Sequence, residues 1–230
     1  METTFSADVP EGFAYYVFFD LDRTLAGSTS GRDLAERAFK KKLISLKDIL
    51  NAIFLSLAYK FNLRDHLKII GDMVGWLKGM DESDLDSLCH EVFFYDIMPT
   101  IYKESRKEIE LHKKQNAKII ILSSALLPIC RSVADELGID DILCTSPEVI
   151  NGFLTGRTIG PLCFGEQKEV RLVEYCKNHN TRTSEAWYYG DAFSDLAALA
   201  SVGNPVCVNP DKKLRKEAIS RKWKTVLWSY

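Results

Sequence analysis

Ala14-Tyr-Tyr-Val-Phe-Phe-Asp20-Leu-Asp22-Arg-Thr24-Leu25 starts as an unbroken apolar run rich in aromatic residues and then stops in charge at Asp20. A run with no polar alternation suits a strand covered on both faces inside a parallel sheet. Similar short runs recur at Lys118–Leu122, Ile142–Cys144, Trp187–Tyr189 and Val206–Val208, separated by helical stretches such as Pro128–Leu137, Glu166–Lys177 and Ser194–Ala200. Strands alternating with helices predict an α/β fold built on a doubly wound, Rossmann-like, mostly parallel sheet.

One stretch breaks this rhythm. From about Gly31 to Glu91 the periodicity is helical throughout, with segments Asp33–Lys41, Leu46–Tyr59, Arg64–Leu77 and Glu82–Phe93, before a helix at Thr100–Gln115 leads into the second strand. That is too much helix for one crossover. The reading is an all-helical cap over residues 27–97, inserted into an α/β core made of residues 1–26 and 98–230. Ligands of open α/β sheets bind beyond the carboxyl ends of the strands, so a lobe inserted after the first strand would lie over that site.

The 230 residues, 46% hydrophobic and 27% charged, have the composition of an ordinary globular protein. A net charge of −2 excludes a global field that would recruit nucleic acid or an anionic membrane, and leaves a small molecule as the expected partner. Met1–Gly12 lacks the basic start and apolar stretch of a secretory signal, so cytoplasmic residence is expected. The greasiest segment, Ile49–Tyr59, contains Asn51 and Ser56 and falls well short of the ~20 apolar residues that span a bilayer, so stable membrane insertion is not expected. Cys89, Cys130, Cys144, Cys163, Cys176 and Cys207 show no zinc-binding spacing and read as free thiols. The oligomeric state is left open.

Three predicted strands run into polar clusters at their carboxyl ends: Asp20-Leu-Asp22-Arg-Thr24, Ser123-Ser124 and Gly190-Asp191-Ala-Phe-Ser-Asp195. All three would face one crevice. Acids on neighbouring strand ends repel one another unless a cation sits between them, and hard carboxylates suit Mg²⁺. Lys168 stands in the first turn of its helix, where the helix dipole disfavours a cation. A reach back to the acidic cluster would compensate. Taken singly, Asp-x-Asp-x-Thr reads equally as turn chemistry, and the serines and Asp191–Asp195 as helix caps. Their order and strand context argue for a site.

Phe18-Phe-Asp20-Leu-Asp22-Arg-Thr24-Leu25, Ile121-Leu-Ser123-Ser124-Ala125, Gly165-Glu-Gln-Lys168 and Tyr189-Gly-Asp191-Ala-Phe-Ser-Asp195 resemble the four ordered motifs of the haloacid dehalogenase superfamily. The resemblance is to its phosphoserine-phosphatase-like subfamily, and it extends from Val17 to Trp223. It implies a phosphomonoester hydrolase in which Asp20 attacks phosphorus and Asp22 moves the proton. Mg²⁺ would be held by Asp20, the backbone carbonyl of Asp22, and Asp191, with Asp195 in support. Ser123, the Ser124 backbone at the mouth of the following helix, and Lys168 would bind the phosphoryl oxygens, while Thr24 braces the first loop.

Subfamily members that cleave phosphoserine carry a glutamate a few residues beyond the first motif, but here the stretch is Ala26-Gly-Ser-Thr-Ser30, without an acid. The expected substrate is therefore another small phosphorylated metabolite or a phospholipid precursor. The alternatives are a phosphoserine phosphatase, a phosphotransferase using the same intermediate, and a silent phosphate-binding protein. Cys176 and Arg182 match the bare spacing of a cysteine phosphatase, but without the glycines that cradle phosphate, so a buried structural thiol is expected. His66, His90, His112 and His179 receive no role; Lys40-Lys41-Lys42 reads first as a solvated helix end and second as a draw for an anionic substrate or lipid headgroup, and Ile49, Ile53, Phe54 and Leu57 first as core and second as a surface for a greasy substrate tail.

Overall fold

The computed structural model describes residues 12–45 and 74–229. Strands β1 (Tyr15–Phe19), β2 (Ala117–Leu126), β3 (Asp141–Thr145), β6 (Trp187–Gly190), β7 (Asn204–Val208) and β8 (Lys224–Val226) form a sheet in the order β3-β2-β1-β6-β7-β8. Every pairing in it is parallel. β1 lies between β2 and β6, with Phe19 in register with Ile121 and Tyr189, so the ends of these three strands share one edge.

Period-two alternation along each strand divides the core into two layers. Val17, Phe19, Ile119, Ile121 and Tyr189 face one side, where they meet Leu34 of α1 (Ser30–Lys40), Leu85 and Leu88 of α2 (Glu82–Val92), Ile109 of α3 (Lys103–Lys114), and Ile129 and Val133 of α4 (Leu127–Leu137). Tyr16, Phe18, Ile120, Leu122 and Tyr188 face the other, against Leu172 of α5 (Glu166–Asn178), Leu199 of α6 (Leu196–Ser201) and Leu214 of α7 (Lys212–Arg221). This is the doubly wound sheet predicted from the sequence. Phe18 and Phe19 are both fully buried, and truncating either to alanine would cost about 3–5 kcal/mol.

Helices dominate the described part of the segment between β1 and β2. α1 realises the segment expected at Asp33–Lys41, and α2 that at Glu82–Phe93; α2 is N-capped by Asp81, whose side chain accepts from the Ser83 amide at 2.9 Å. The segment Leu46–Tyr59, and with it Ile49, Ile53, Phe54 and Leu57, lies outside the described residues, as do His66 and all of Arg64–Leu77 before Val74. Its described end, Gly75–Leu77, is a short 3₁₀ turn, and Trp76 packs there against the core. No described helix is long and apolar enough to cross a membrane.

Four strands depart from what the sequence predicts. β2 continues to Leu126, four residues beyond the predicted Leu122, and its pairing with β3 shifts register between Leu122 and Leu126. Two strands, β4 (Pro147–Ile150) and β5 (Phe153–Thr158), form an unpredicted antiparallel hairpin that turns through Asn151 and Gly152, both at positive φ. Asn-Gly was the available signal, since both of its residues tolerate the left-handed conformation such a turn demands. The hairpin joins the segment before α2 through backbone bonds from the Gly79 amide to the Leu154 carbonyl, from the Leu154 amide to the Met80 carbonyl and from the Glu82 amide to the Gly152 carbonyl. β8, short and carrying two exposed residues, lacks the apolar run that marked the other strands.

Candidate active site

The end of β1 places Asp20 beneath the first turn of α5. Lys168 Nζ lies 2.8 Å from Asp20 Oδ1 and 2.6 Å from Asp195 Oδ1, and donates a longer bond, 3.3 Å, to the Tyr188 hydroxyl. Tyr188 in turn donates to Asp195 Oδ1 at 3.0 Å. Lys168 is therefore a buried ammonium shared by two carboxylates. Burial alone would lower its proton affinity, but the charges of Asp195 and Asp20 outweigh it and hold the lysine well above the usual ammonium range.

Asp20, Asp191 and Asp195 are all buried, and each offers a carboxylate oxygen within 4.8 Å of the others. Gly190 makes this approach possible: a Cβ there would come within 2.9 Å of Asp195 Cβ and Oδ2 and of the Tyr188 ring. Burial, then repulsion from Asp20 and Asp195, pushes Asp191 up to about 8. Asp20 is raised by burial, against the opposing charge of Lys168 and hydrogen bonds from Lys168 and Ser123. Three hard oxygen donors so close that they resist joint ionisation fit a divalent cation such as Mg²⁺, which would relieve their repulsion.

Asp22 turns away from this cluster toward α1. The Ser30 amide donates to its Oδ1 at 2.8 Å and the Ser30 hydroxyl to its Oδ2 at 3.0 Å. Burial, followed by the nearby charge of Asp20, pushes Asp22 up to about 7. Near neutral pH it can both give and accept a proton.

The remaining predicted residues fall as follows. Ser123 is buried within β2, its Oγ accepting weakly from the Ala125 amide at 3.4 Å; Ser124 is partly buried beside it. Neither serine stands at the mouth of a helix as expected, because β2 runs on and α4 is capped by Leu126 without a side-chain bond. The Thr24 hydroxyl is buried with no hydrogen-bond partner among the described residues. The loop is held instead by backbone bonds to the Leu21 carbonyl from Leu25 at 2.9 Å and Ala26 at 3.1 Å.

Ser30 and Tyr188 were not singled out from the sequence. Tyr188 sits in an apolar strand where an aromatic reads as core, and only the alternation that sends it to the α5 face could have marked it. The decoys resolve as packing and surface. Cys176 is buried, its thiol pushed up to about 11 by burial, and Arg182 pairs with Glu185 at the surface. All six cysteines are buried and free. Lys41 pairs with Glu91 at 2.5 Å. A groove of about 400 Å³ between Trp187, Asn204 and Trp223 opens at the amino ends of β6 and β7, opposite the aspartates, and carries Lys222 and Lys224 but no acid.

The carboxylates and the buried ammonium thus meet beyond the carboxyl ends of the strands, where open parallel sheets bind their ligands. The chain belongs to the haloacid dehalogenase-like hydrolase family, which it matches over residues 17–200. It is 26% identical over 215 residues to a probable phosphatase of Mycobacterium tuberculosis, spanning 92% of this chain and 75% of that protein. It is 25% identical over 214 residues to a phosphoserine phosphatase of the same organism, spanning 90% and 68%. A Bordetella pertussis protein of unknown function shares the fold at a TM-score of 0.82 and 21% identity, over 94% of this chain and 99% of that one.

Proposed function

We propose that the chain is a Mg²⁺-dependent phosphomonoesterase that works through a phospho-aspartyl intermediate on Asp20. The observation that carries this reading is the meeting of Asp20, Asp191, Asp195 and Lys168 within one buried cluster. With Oδ1 of Asp20 held by Lys168, Oδ2 is the oxygen that attacks phosphorus. The new bond forms from Asp20 to phosphorus as the bond to the leaving oxygen breaks, and Asp22 gives that oxygen its proton. Asp22, now a carboxylate, then takes a proton from the water that cleaves the acyl phosphate. Lys168 and Ser123 stabilise the transferring phosphoryl oxygens. Mg²⁺ would be held by Asp20, Asp191 and Asp195 with the Asp22 carbonyl, and would supply further positive charge against those oxygens.

The helices inserted at residues 27–97 act as the cap, cover the leaving group and set specificity, because phosphoryl and metal contacts are common to every phosphomonoester. The absence of an acid in Ala26–Ser30 favours a small phosphorylated metabolite or phospholipid precursor in a cytoplasmic setting. A second reading, phosphoserine phosphatase, is favoured by the relative of that name and by Asp33, one turn into α1, whose Oδ2 is buried without a hydrogen-bond partner among the described residues. Such a carboxylate could receive an ammonium. Hydrolysis of p-nitrophenyl phosphate with Mg²⁺ tests the activity, and kcat/KM for phosphoserine against uncharged alkyl phosphates chooses between substrates. No turnover with any phosphomonoester would leave a phosphate-binding protein.

A further inference from the structure

Arg23 lies between the two aspartates of the first loop with φ of 57°, a left-handed conformation disfavoured for residues with a side chain. Its side chain is half exposed, yet it reaches the buried carboxylate of Asp191, Nη2 to Oδ2, at 2.7 Å. Lys168 already serves Asp20 and Asp195. Each carboxylate of the cluster thus has a protein cation as partner, and Arg23 is the one assigned to Asp191.

A divalent cation held by the same cluster shares Asp191 with Arg23. Two cations on one carboxylate repel at contact distance, and the buried side of the site screens them weakly. Lys168 cannot yield, since it is enclosed and bonded to two acids and a tyrosine. Arg23 can: half its side chain is in water, and an exposed ion pair is held weakly. We infer that Arg23 competes with the divalent cation for Asp191 and so sets the metal affinity of the site, an inference that rests on the metal-binding reading above. The guanidinium is displaced toward solvent as the cation takes Asp191.

Calorimetric titration of Mg²⁺ into EDTA-stripped protein tests this without reference to activity. Arg23→Gln removes the charge but keeps the strained backbone, Arg23→Gly removes both, and Arg23→Lys keeps a cation. The Gln and Gly variants should bind Mg²⁺ about 5- to 10-fold more tightly than the wild type, with Lys close to wild type. Equal or weaker binding by the Gln variant overturns the inference, and so does tightening confined to Gly, which would credit backbone relief instead of charge. Thermal melts of the stripped variants establish that each is folded, and Gln carries the test if Gly is not. Wild-type protein that takes up no Mg²⁺ at millimolar concentration would sink the metal-binding reading itself, a failure distinct from unchanged affinity in a protein that does bind.

Discussion

Ser30 holds both carboxylate oxygens of Asp22, one through its backbone amide at 2.8 Å and the other through its hydroxyl at 3.0 Å. Ser30 is the first residue of α1, so Asp22, two residues beyond Asp20, is oriented by the first helix that follows β1. Ser30→Ala keeps the amide bond and loses the hydroxyl. Losing one such bond is worth roughly tenfold in rate. In kcat/KM, which reports formation of the phospho-enzyme and not its hydrolysis, the loss should appear with alkyl phosphates, whose leaving oxygen needs a proton, and be small with p-nitrophenyl phosphate, whose leaving group departs as an anion. Ser30→Thr should restore the alkyl rate. Equal losses in kcat/KM on both substrates would show that Ser30 does not act through the proton Asp22 gives the leaving oxygen.

Asp20→Asn should abolish turnover and leave the fold intact, because it removes the attacking charge at nearly constant volume. Circular dichroism and p-nitrophenyl phosphate turnover check the two halves. Activity near wild type would end the proposed mechanism.

Lys168→Ala and Cys176→Ser separate the aspartate chemistry from the cysteine decoy. Removal of Lys168 takes a fixed positive charge from Asp20 and from the phosphoryl group, and should lower kcat on the order of 10²-fold. Cys176, buried against α5 neighbours with a thiol raised to about 11, should be replaceable by serine with little change in kcat. The reverse ranking would favour a cysteine nucleophile.

Chelation with EDTA should silence the protein, and Mg²⁺ should restore it where Ca²⁺ does not, since the larger ion demands more ligands than three carboxylates and a carbonyl provide. Full activity in EDTA would exclude a metal-dependent route.

His112 predicts a pH-dependent stability remote from catalysis. Its Nδ1 meets the Tyr15 hydroxyl at 2.9 Å and its Nε2 the Tyr189 hydroxyl at 2.8 Å; the charged groups facing it are Glu108 of α3 and Lys224 of β8. Burial lowers its proton affinity, Glu108 opposes that, and Lys224 adds to it. The unfolded chain then binds the proton more readily than the folded one. The stabilisation is complete above the unfolded pKa of roughly 6.5 and is lost as pH falls from there through the lower folded value. Urea midpoints of wild type and His112→Gln between neutral pH and pH ~5 should converge on acidification. Parallel curves would show that His112 is not responsible.

The strands and most helices were legible in the sequence because their signals are local. Tyr15–Phe19, Lys118–Leu122 and Trp187–Tyr189 are apolar runs that no solvated loop would carry, and each ends where the polarity changes. The hairpin β4–β5 carried a local signal in Asn151-Gly152 but little apolar contrast, and β8 had neither. The serines fall inside β2 because the strand runs on to Leu126 through a shift in its register with β3, a pairing that joins residues distant in the sequence.

By itself the sequence determined the alternation of elements, the identity of the acids at the strand ends, and the conflict of a lysine in a helix's first turn. Only the tertiary structure decided which groups meet. Lys168 and Asp20 are 148 positions apart and Tyr188 and Lys168 are 20, and no periodicity links them. Parallel pairing of β1 with β2 and β6 brings their ends to one edge, the packing of α5 over that edge aims Lys168 at it, and the first turn of α1 carries Ser30 to Asp22. Secondary structure follows from backbone propensity and hydrophobic period, which act over a few residues. A site of charged groups follows from distances and desolvation, which exist only once the chain has packed.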